Sequence, residues 1–199
     1  MCGRYQIGSA EEKNGYADLI NGTKKENNRE NMTESGAKID VNPGDTAPVI
    51  LTKRSICDEA RMRWGFEAGG KLVINARSES IFEKPMFKNS AMAMRCAVPA
   101  LGYYEWNDRR ERFLFTPPGG GLLMLAGLYR YAPDGSSEFV IITRQAYGEY
   151  GKIHGRMPLM LKDWRAWLHD PAAARSALAA GGETQLDIHC QSPRQLSMF

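Results

Sequence analysis

Four residues far apart in the chain carry side chains suited to covalent and proton-transfer chemistry. Cys2 directly follows the initiator methionine. Methionine aminopeptidases remove Met1 when residue 2 is small, and the processed chain then begins with an α-amine and a thiol on adjacent carbons. The two groups titrate near pH ~8 and ~8.5, so both are partly deprotonated at neutral pH. This 1,2-aminothiol has chemistry closed to an internal cysteine, although MCG is also an ordinary start to a first strand. Glu105 sits among aromatic residues in PALGYYEW. A carboxylate with apolar neighbours acquires a raised pKa and can carry protons near neutrality, unless it points to water or pairs with an arginine. His154, at a loop-to-strand junction in KIHGRMPLML, has the side chain whose ordinary pKa suits acid–base work; taken alone it reads as a surface-loop histidine. In KLVINARSES an extended backbone puts Asn75, Arg77 and Glu79 on one face, with Ile74 and Ala76 on the other. That polar face is either solvated or built for binding.

Short strands must position these groups. Residues 2–8 read as a first strand, and Ser9 to Glu12 as a capping box ahead of helically spaced Tyr16, Leu19 and Ile20. The polar stretch 22–38 has no periodicity and reads as a long loop. Strand patterns then recur: IDV and TAPVILT around an Asn42-Pro43-Gly44 turn, and ARMRWGF and KLVINARSES around EAGG. RCAVPALGYYEW, RFLFT, GLLMLAGLYRY and EFVIITRQA follow. KDWRAWLHD and PAAARSALAAG read as short helices broken apart by Pro171, and residues 182–199 as a closing strand and tail. Without the long helices that parallel crossovers need, the expectation is an α+β fold: an antiparallel, partly closed β core with short flanking helices. Residues 1–199 fit a single domain.

Composition narrows the function classes. A hydrophobic fraction of 43% and a charged fraction of 25% are ordinary for a globular chain. No apolar run approaches the ~20 residues of a membrane span, and no signal-peptide pattern opens the chain. Cys2, Cys57, Cys96 and Cys190 form no C-x-x-C, and the three histidines no H-x-x-x-H pair. Free thiols in a reducing cytoplasm are expected, with no metal and no cofactor. The net charge of +3 permits a nucleic-acid partner without demanding one.

Six motifs in order, MCGR, N-P-G, R-W-G, I-N-A-R-x-E, R-C-x-V-P-A-x-G-Y-Y-E-W and I-H-x-R-M-P, resemble the SRAP family of SOS-response-associated, abasic-site-processing proteins. The resemblance spans roughly residues 2–168. It implies a mixed fold on an antiparallel β core, a groove for single-stranded DNA, and a Cys2 that binds the aldehyde of an abasic site as a thiazolidine once Met1 is gone. It assigns working roles to Cys2, Asn75, Glu105 and His154, and DNA contacts to Gly3, Arg4, Asn42, Pro43, Trp64, Arg77, Thr143 and Arg156. Trp64 is expected to stack on a base or wedge a duplex. Three features depart from the family pattern. Asp40 stands where the family has Asn and needs a basic partner beside a phosphate, a second Trp shortly after W-G is missing, and Gly155 replaces an acidic residue.

The resemblance further implies shielding of abasic sites at replication forks, weak lyase activity through the Schiff base, and autoproteolysis. The protein is expected to be a monomer in the cytoplasm, associated with a bacterial nucleoid. Two enzymatic alternatives stay open. One is an N-terminal-nucleophile amidotransferase, which also begins MCG but usually has Ile where Arg4 stands. The other is a cysteine peptidase built on Cys2, His154 and Glu105. A noncatalytic single-strand binder is the third. Finally, QLSMF resembles the bacterial sliding-clamp-binding motif Q-L-[SD]-L-F, which makes Gln195, Leu196, Met198 and Phe199 candidate clamp contacts.

Overall fold

A computed structural model describes residues 2–8, 20, 38–180 and 183–191. The capping-box helix, nearly all of the polar stretch and the QLSMF segment lie outside these residues. In chain order the strands are β1 (Arg4–Gly8), β2 (Lys38–Val41), β3 (Thr46–Lys53), β4 (Ile56–Trp64), β5 (Phe66–Ala68), β6 (Lys71–Val73) and β7 (Asn75–Arg77). Helix α1 (Pro85–Ala93) precedes β8 (Arg95–Ala100), β9 (Gly102–Trp106), β10 (Arg112–Thr116), β11 (Leu123–Tyr131) and β12 (Ser137–Gln145). Helix α2 (Gly148–Ile153), β13 (Arg156–Pro158), α3 (Trp164–His169), α4 (Pro171–Ala180) and β14 (Asp187–Cys190) complete the described chain.

Two sheets carry the fold. The first, ordered β14-β10-β9-β1-β2, is antiparallel throughout. The second runs β11-β8-β3-β4-β12-β13, and β11 also pairs with β12, so β11, β8, β3, β4 and β12 close a ring. This is the α+β, largely antiparallel and partly closed core that the strand spacing suggests. Two short pairings depart from it: β4 and β7 each lie parallel to β12.

Side-chain alternation explains the layering. Val49, Leu51, Phe139 and Ile141 point into the space between the sheets, beside Tyr5, Ile7, Val41, Tyr103 and Phe115 of the first sheet. Their neighbours Ile50, Val140 and Ile142 point the other way, onto Phe87 of α1 and Trp164 and Trp167 of α3. A sheet buried on both faces reads as a continuous apolar run, as EFVIIT does.

RCAVPALGYYEW is two strands rather than one. The chain leaves the second sheet at Ala100 and enters the first at Gly102, and the Leu101 N–H donates to the Gln6 carbonyl at 2.8 Å across the join. KLVINARSES also breaks: β6 pairs with β5, β7 pairs with β12, and a 3-10 turn takes Ser78–Ser80. Helices α1 and α2 go beyond the elements expected from the sequence. The first has a legible signal, with Pro85 in its first turn and Phe87, Ser90 and Ala91 buried at helical spacing.

Candidate active site and nucleic-acid face

β1 lies second from the edge of the first sheet, zipped to β2 on one side and β9 on the other. The two residues ahead of it, Cys2 and Gly3, are thereby held against the sheet, and Cys2 is fully buried. Asn75, the first residue of β7, donates from Nδ2 to the Cys2 carbonyl at 2.9 Å. Asn75 Oδ1 has no hydrogen-bond partner among the described residues. On β9, Tyr104 pairs with Arg4, and the next residue, Glu105, turns inward with only 2% of its surface exposed. His154, just past α2, brings Nδ1 to 3.8 Å from Glu105 Oε2. Cys2, Asn75, Glu105 and His154, from four separate parts of the chain, are therefore assembled at one end of the inter-sheet core.

The electrostatics follow from burial. Loss of solvent raises the Glu105 carboxyl above its ordinary range, and the adjacent His154 partly offsets this. Burial likewise pushes the Cys2 thiol far up, and the charge of Glu105 adds to the effect. Tyr103, fully buried two residues before Glu105 on the same strand face, is raised well above its usual value by burial and by the charges of Cys2 and Glu105. Sequence reasoning missed Tyr103 because an aromatic in a strand reads as core. Its ring does stack on Phe115 at 4.8 Å, while its hydroxyl has no partner among the described residues.

The expected DNA contacts divide into three groups. Arg77 and Pro43 are exposed, and Gly3, Arg4 and Asn42 are half-buried. Arg4 supplies the basic partner that Asp40 requires, with Nη1 at 3.6 Å from Oδ2, and its guanidinium lies 5.9 Å from the Trp106 ring. Gln6 Nε2 and the Tyr104 hydroxyl each donate to Asp40 Oδ1 at 3.2 Å. Asn42 caps its own turn: its carbonyl accepts from the Asp45 N–H, and its backbone N–H donates to Asp45 Oδ2 at 2.8 Å.

Two residues do not fit a direct contact. Trp64 is fully buried. Its indole N–H donates to the Ile74 carbonyl at 3.0 Å and its ring packs edge-on against Tyr5 at 5.1 Å, so it cannot stack on a base or wedge a duplex as expected. Thr143 is also fully buried.

Arg156 itself is occupied. Nη1 and Nη2 donate to Glu79 Oε1 and Oε2 at 2.8 and 2.9 Å, and Nη2 also donates to the Thr143 carbonyl at 2.7 Å. The 3-10 turn removes Glu79 from the strand face expected for it, and delivers it to this arginine instead. No group of three or more metal-ligating side chains occurs among the described residues. No described helix is long and apolar enough to cross a membrane.

Comparison with known proteins identifies the family. The family model described as SOS response associated peptidase (SRAP) matches residues 1–192. The abasic site processing protein YoqW of Bacillus subtilis is 29% identical, the alignment covering 89% of this chain and 86% of that protein. The abasic site processing protein HMCES of Gallus gallus is 26% identical over 60% of this chain and 49% of its own length. The crystal structure of a phage-related protein from Bordetella bronchiseptica superposes with a TM-score of 0.73 at 25% identity, covering 98% of this chain and 95% of that one. With the family model spanning nearly the whole sequence and the six motifs gathered on one two-sheet core, the chain belongs to the SRAP family.

Proposed function

We propose that this protein captures abasic sites in single-stranded DNA by forming a thiazolidine at Cys2 after Met1 is removed. One observation supports this reading above the others. Cys2, tied by its carbonyl to Asn75, lies beside a buried Glu105 that His154 also reaches.

Glu105, its affinity for protons raised by burial, accepts a proton from the Cys2 ammonium. The freed amine attacks C1′ of the open-chain sugar. That open form arises as His154 donates a proton to the sugar ring oxygen and the C1′ hydroxyl gives up its own to water; after the amine adds, the carbinolamine loses water to give a Schiff base. The Cys2 sulfur adds to the imine carbon, its proton passing to the nitrogen, and a five-membered ring closes. The closure is intramolecular and so benefits from a high effective concentration. Overall, one water leaves for each adduct formed. Asn75 fixes the Cys2 backbone through Nδ2, and its free Oδ1 accepts from the amine. Arg77, exposed beside the site, holds a flanking phosphate.

The Schiff base also permits slow β-elimination, a weak lyase path. Before processing, the Cys2 nitrogen belongs to the scissile amide, so autoproteolytic removal of residues ahead of it would use the Cys2 thiol as nucleophile, with Glu105 and His154 carrying the proton to the leaving nitrogen and water releasing the acyl group from sulfur. Captured sites would be shielded at replication forks, by one unit formed from residues 1–199 working as a monomer. Gln195, Leu196, Met198 and Phe199, which lie outside the described residues, would tether it to a sliding clamp and raise its local concentration.

The test is incubation with an abasic single-stranded oligonucleotide, read by denaturing gel and intact mass. The expected product has the mass of protein lacking Met1 plus DNA minus one water, and Cys2→Ala forms none. An undiminished crosslink with Cys2→Ala refutes the assignment.

A further inference from the structure

Arg156 is expected to hold a phosphate, yet both of its terminal nitrogens are committed within the protein. They grip Glu79 at 2.8 and 2.9 Å and the Thr143 carbonyl at 2.7 Å, and Nη2 also approaches Thr143 Oγ1 at 3.3 Å. Parallel, two-point contact of this kind fixes orientation as well as distance. At neutral pH Glu79 is fully ionised for this task, because Arg156 holds its carboxyl down to about 2.

The backbone of the same arginine touches the active site. Its N–H donates to His154 Nδ1 at 3.0 Å, and its carbonyl oxygen lies 3.0 Å from that nitrogen. A neutral imidazole has one donor and one acceptor nitrogen. If Nδ1 accepts the Arg156 N–H, the proton must reside on Nε2. A proton on Nδ1 would have acceptors in the Arg156 carbonyl at 3.0 Å and Glu105 Oε2 at 3.8 Å, but it would then face the Arg156 N–H, also at 3.0 Å, and that repulsion is relieved only if the Arg156 backbone turns. The choice of tautomer therefore depends on how firmly Arg156 is held. β13 is only three residues long and is flanked by Gly155, so strand pairing alone is a slight restraint. The clamp on the guanidinium adds a second anchor at the same residue.

We infer that Glu79 is a positioning residue: through its two-point grip on Arg156 it holds the backbone that orients His154 and keeps the imidazole proton on Nε2. This deepens the proposed capture reaction and rests on it for the role of His154. His154 touches the reacting sugar, whereas Glu79 acts only through Arg156. The arrangement follows the general rule that a working histidine is set by the bond its other nitrogen makes.

The experiment compares the wild-type chain with Glu79→Gln and Glu79→Ala in three measurements. The first is affinity for undamaged single-stranded DNA by fluorescence anisotropy. The second is the single-turnover rate of adduct formation with saturating abasic DNA. The third is the imidazole ¹⁵N spectrum, with His154 assigned by comparison with His154→Ala.

Small misplacements of a reacting group cost up to about 10²-fold in rate. The expected result is a capture rate lower by roughly 10–100-fold in Glu79→Ala and by less in Glu79→Gln, with DNA affinity unchanged or higher because a negative charge is lost. The His154 spectrum should go from Nε2–H in the wild type to a mixture of tautomers. An unchanged rate with an unchanged spectrum overturns the inference, as does a loss confined to DNA affinity, which would make the pair part of the binding face. If the wild-type protein forms no adduct, the capture reading fails while the ¹⁵N comparison still decides whether Glu79 sets the tautomer. If Glu79→Ala is unfolded by circular dichroism, Glu79→Gln decides alone.

Discussion

Replacing Trp64 with phenylalanine separates a core role from a DNA-stacking role. The substitution removes the indole N–H bond to the Ile74 carbonyl. That carbonyl also accepts from the Ile141 N–H at 3.1 Å, so no buried acceptor is orphaned, and the loss is the net value of one hydrogen bond, about 0.5–1.5 kcal/mol. Phenylalanine also has three fewer ring atoms to pack against Tyr5 and Phe139. At about 0.8 kcal/mol per methylene-sized group this adds roughly 2 kcal/mol. The combined cost of about 2.5–4 kcal/mol corresponds to a fall in Tm of roughly 5–15 °C for a chain of this length. By contrast, loss of a base-stacking platform costs about 1–3 kcal/mol in binding. Differential scanning calorimetry and DNA anisotropy well below the new Tm measure the two quantities on one sample. The expected outcome is a markedly lower Tm with affinity within about twofold. An unchanged Tm with a tenfold weaker affinity refutes the burial argument.

Two further perturbations bear on the site. Burial raises the Glu105 pKa in the folded state, so the unfolded chain gives up this proton first as pH rises; the stability Glu105 contributes is complete below its unfolded pKa, near ~4.3, and is lost as pH climbs through the raised folded value. Glu105→Gln should therefore melt higher than wild type at neutral pH while slowing capture by about 10²–10⁴-fold, and equal melting temperatures across pH 4–8 contradict the burial account. Arg77→Ala should weaken DNA binding with a log–log salt slope shallower by about 0.7 and leave the single-turnover rate on bound DNA unchanged, and an unchanged salt slope removes Arg77 from the phosphate path.

The residues that the sequence marks as reactive are legible through type and surroundings, but their companions are not. Glu105 announces itself by aromatic neighbours, and Asp40 by its need for a cation, which Arg4 meets at 3.6 Å. Thr143 and Trp64 lie on strands whose polar or aromatic positions could face either way. Only the pairing of β12 with both β7 and β13 shows Thr143 to be enclosed. The join at Leu101 is invisible because residues on both sides of it are apolar and buried, so hydropathy does not change where the chain switches sheets. The grip of Glu79 on Arg156 spans 77 positions, and no local pattern encodes it. The long β12 run is recognisable as a strand, yet its parallel partners follow from closure of the ring and not from its composition.

The position of β1 also sets an order of events during synthesis. Cys2 and β1 are made well before β9, which pairs with β1 from Arg4 to Gln6 about half a chain later, and His154 comes later still. At about 5–20 residues per second, the stretch from Cys2 to His154 takes roughly 8–30 s to make, and under the proposed reaction a chain cleared of Met1 would display its aminothiol over that interval. Small aldehydes meeting it in that interval would close the same five-membered ring. If Cys2 is the nucleophile proposed above, such a molecule would fold with it already consumed, so the fraction of active protein would depend on the aldehyde load at the ribosome.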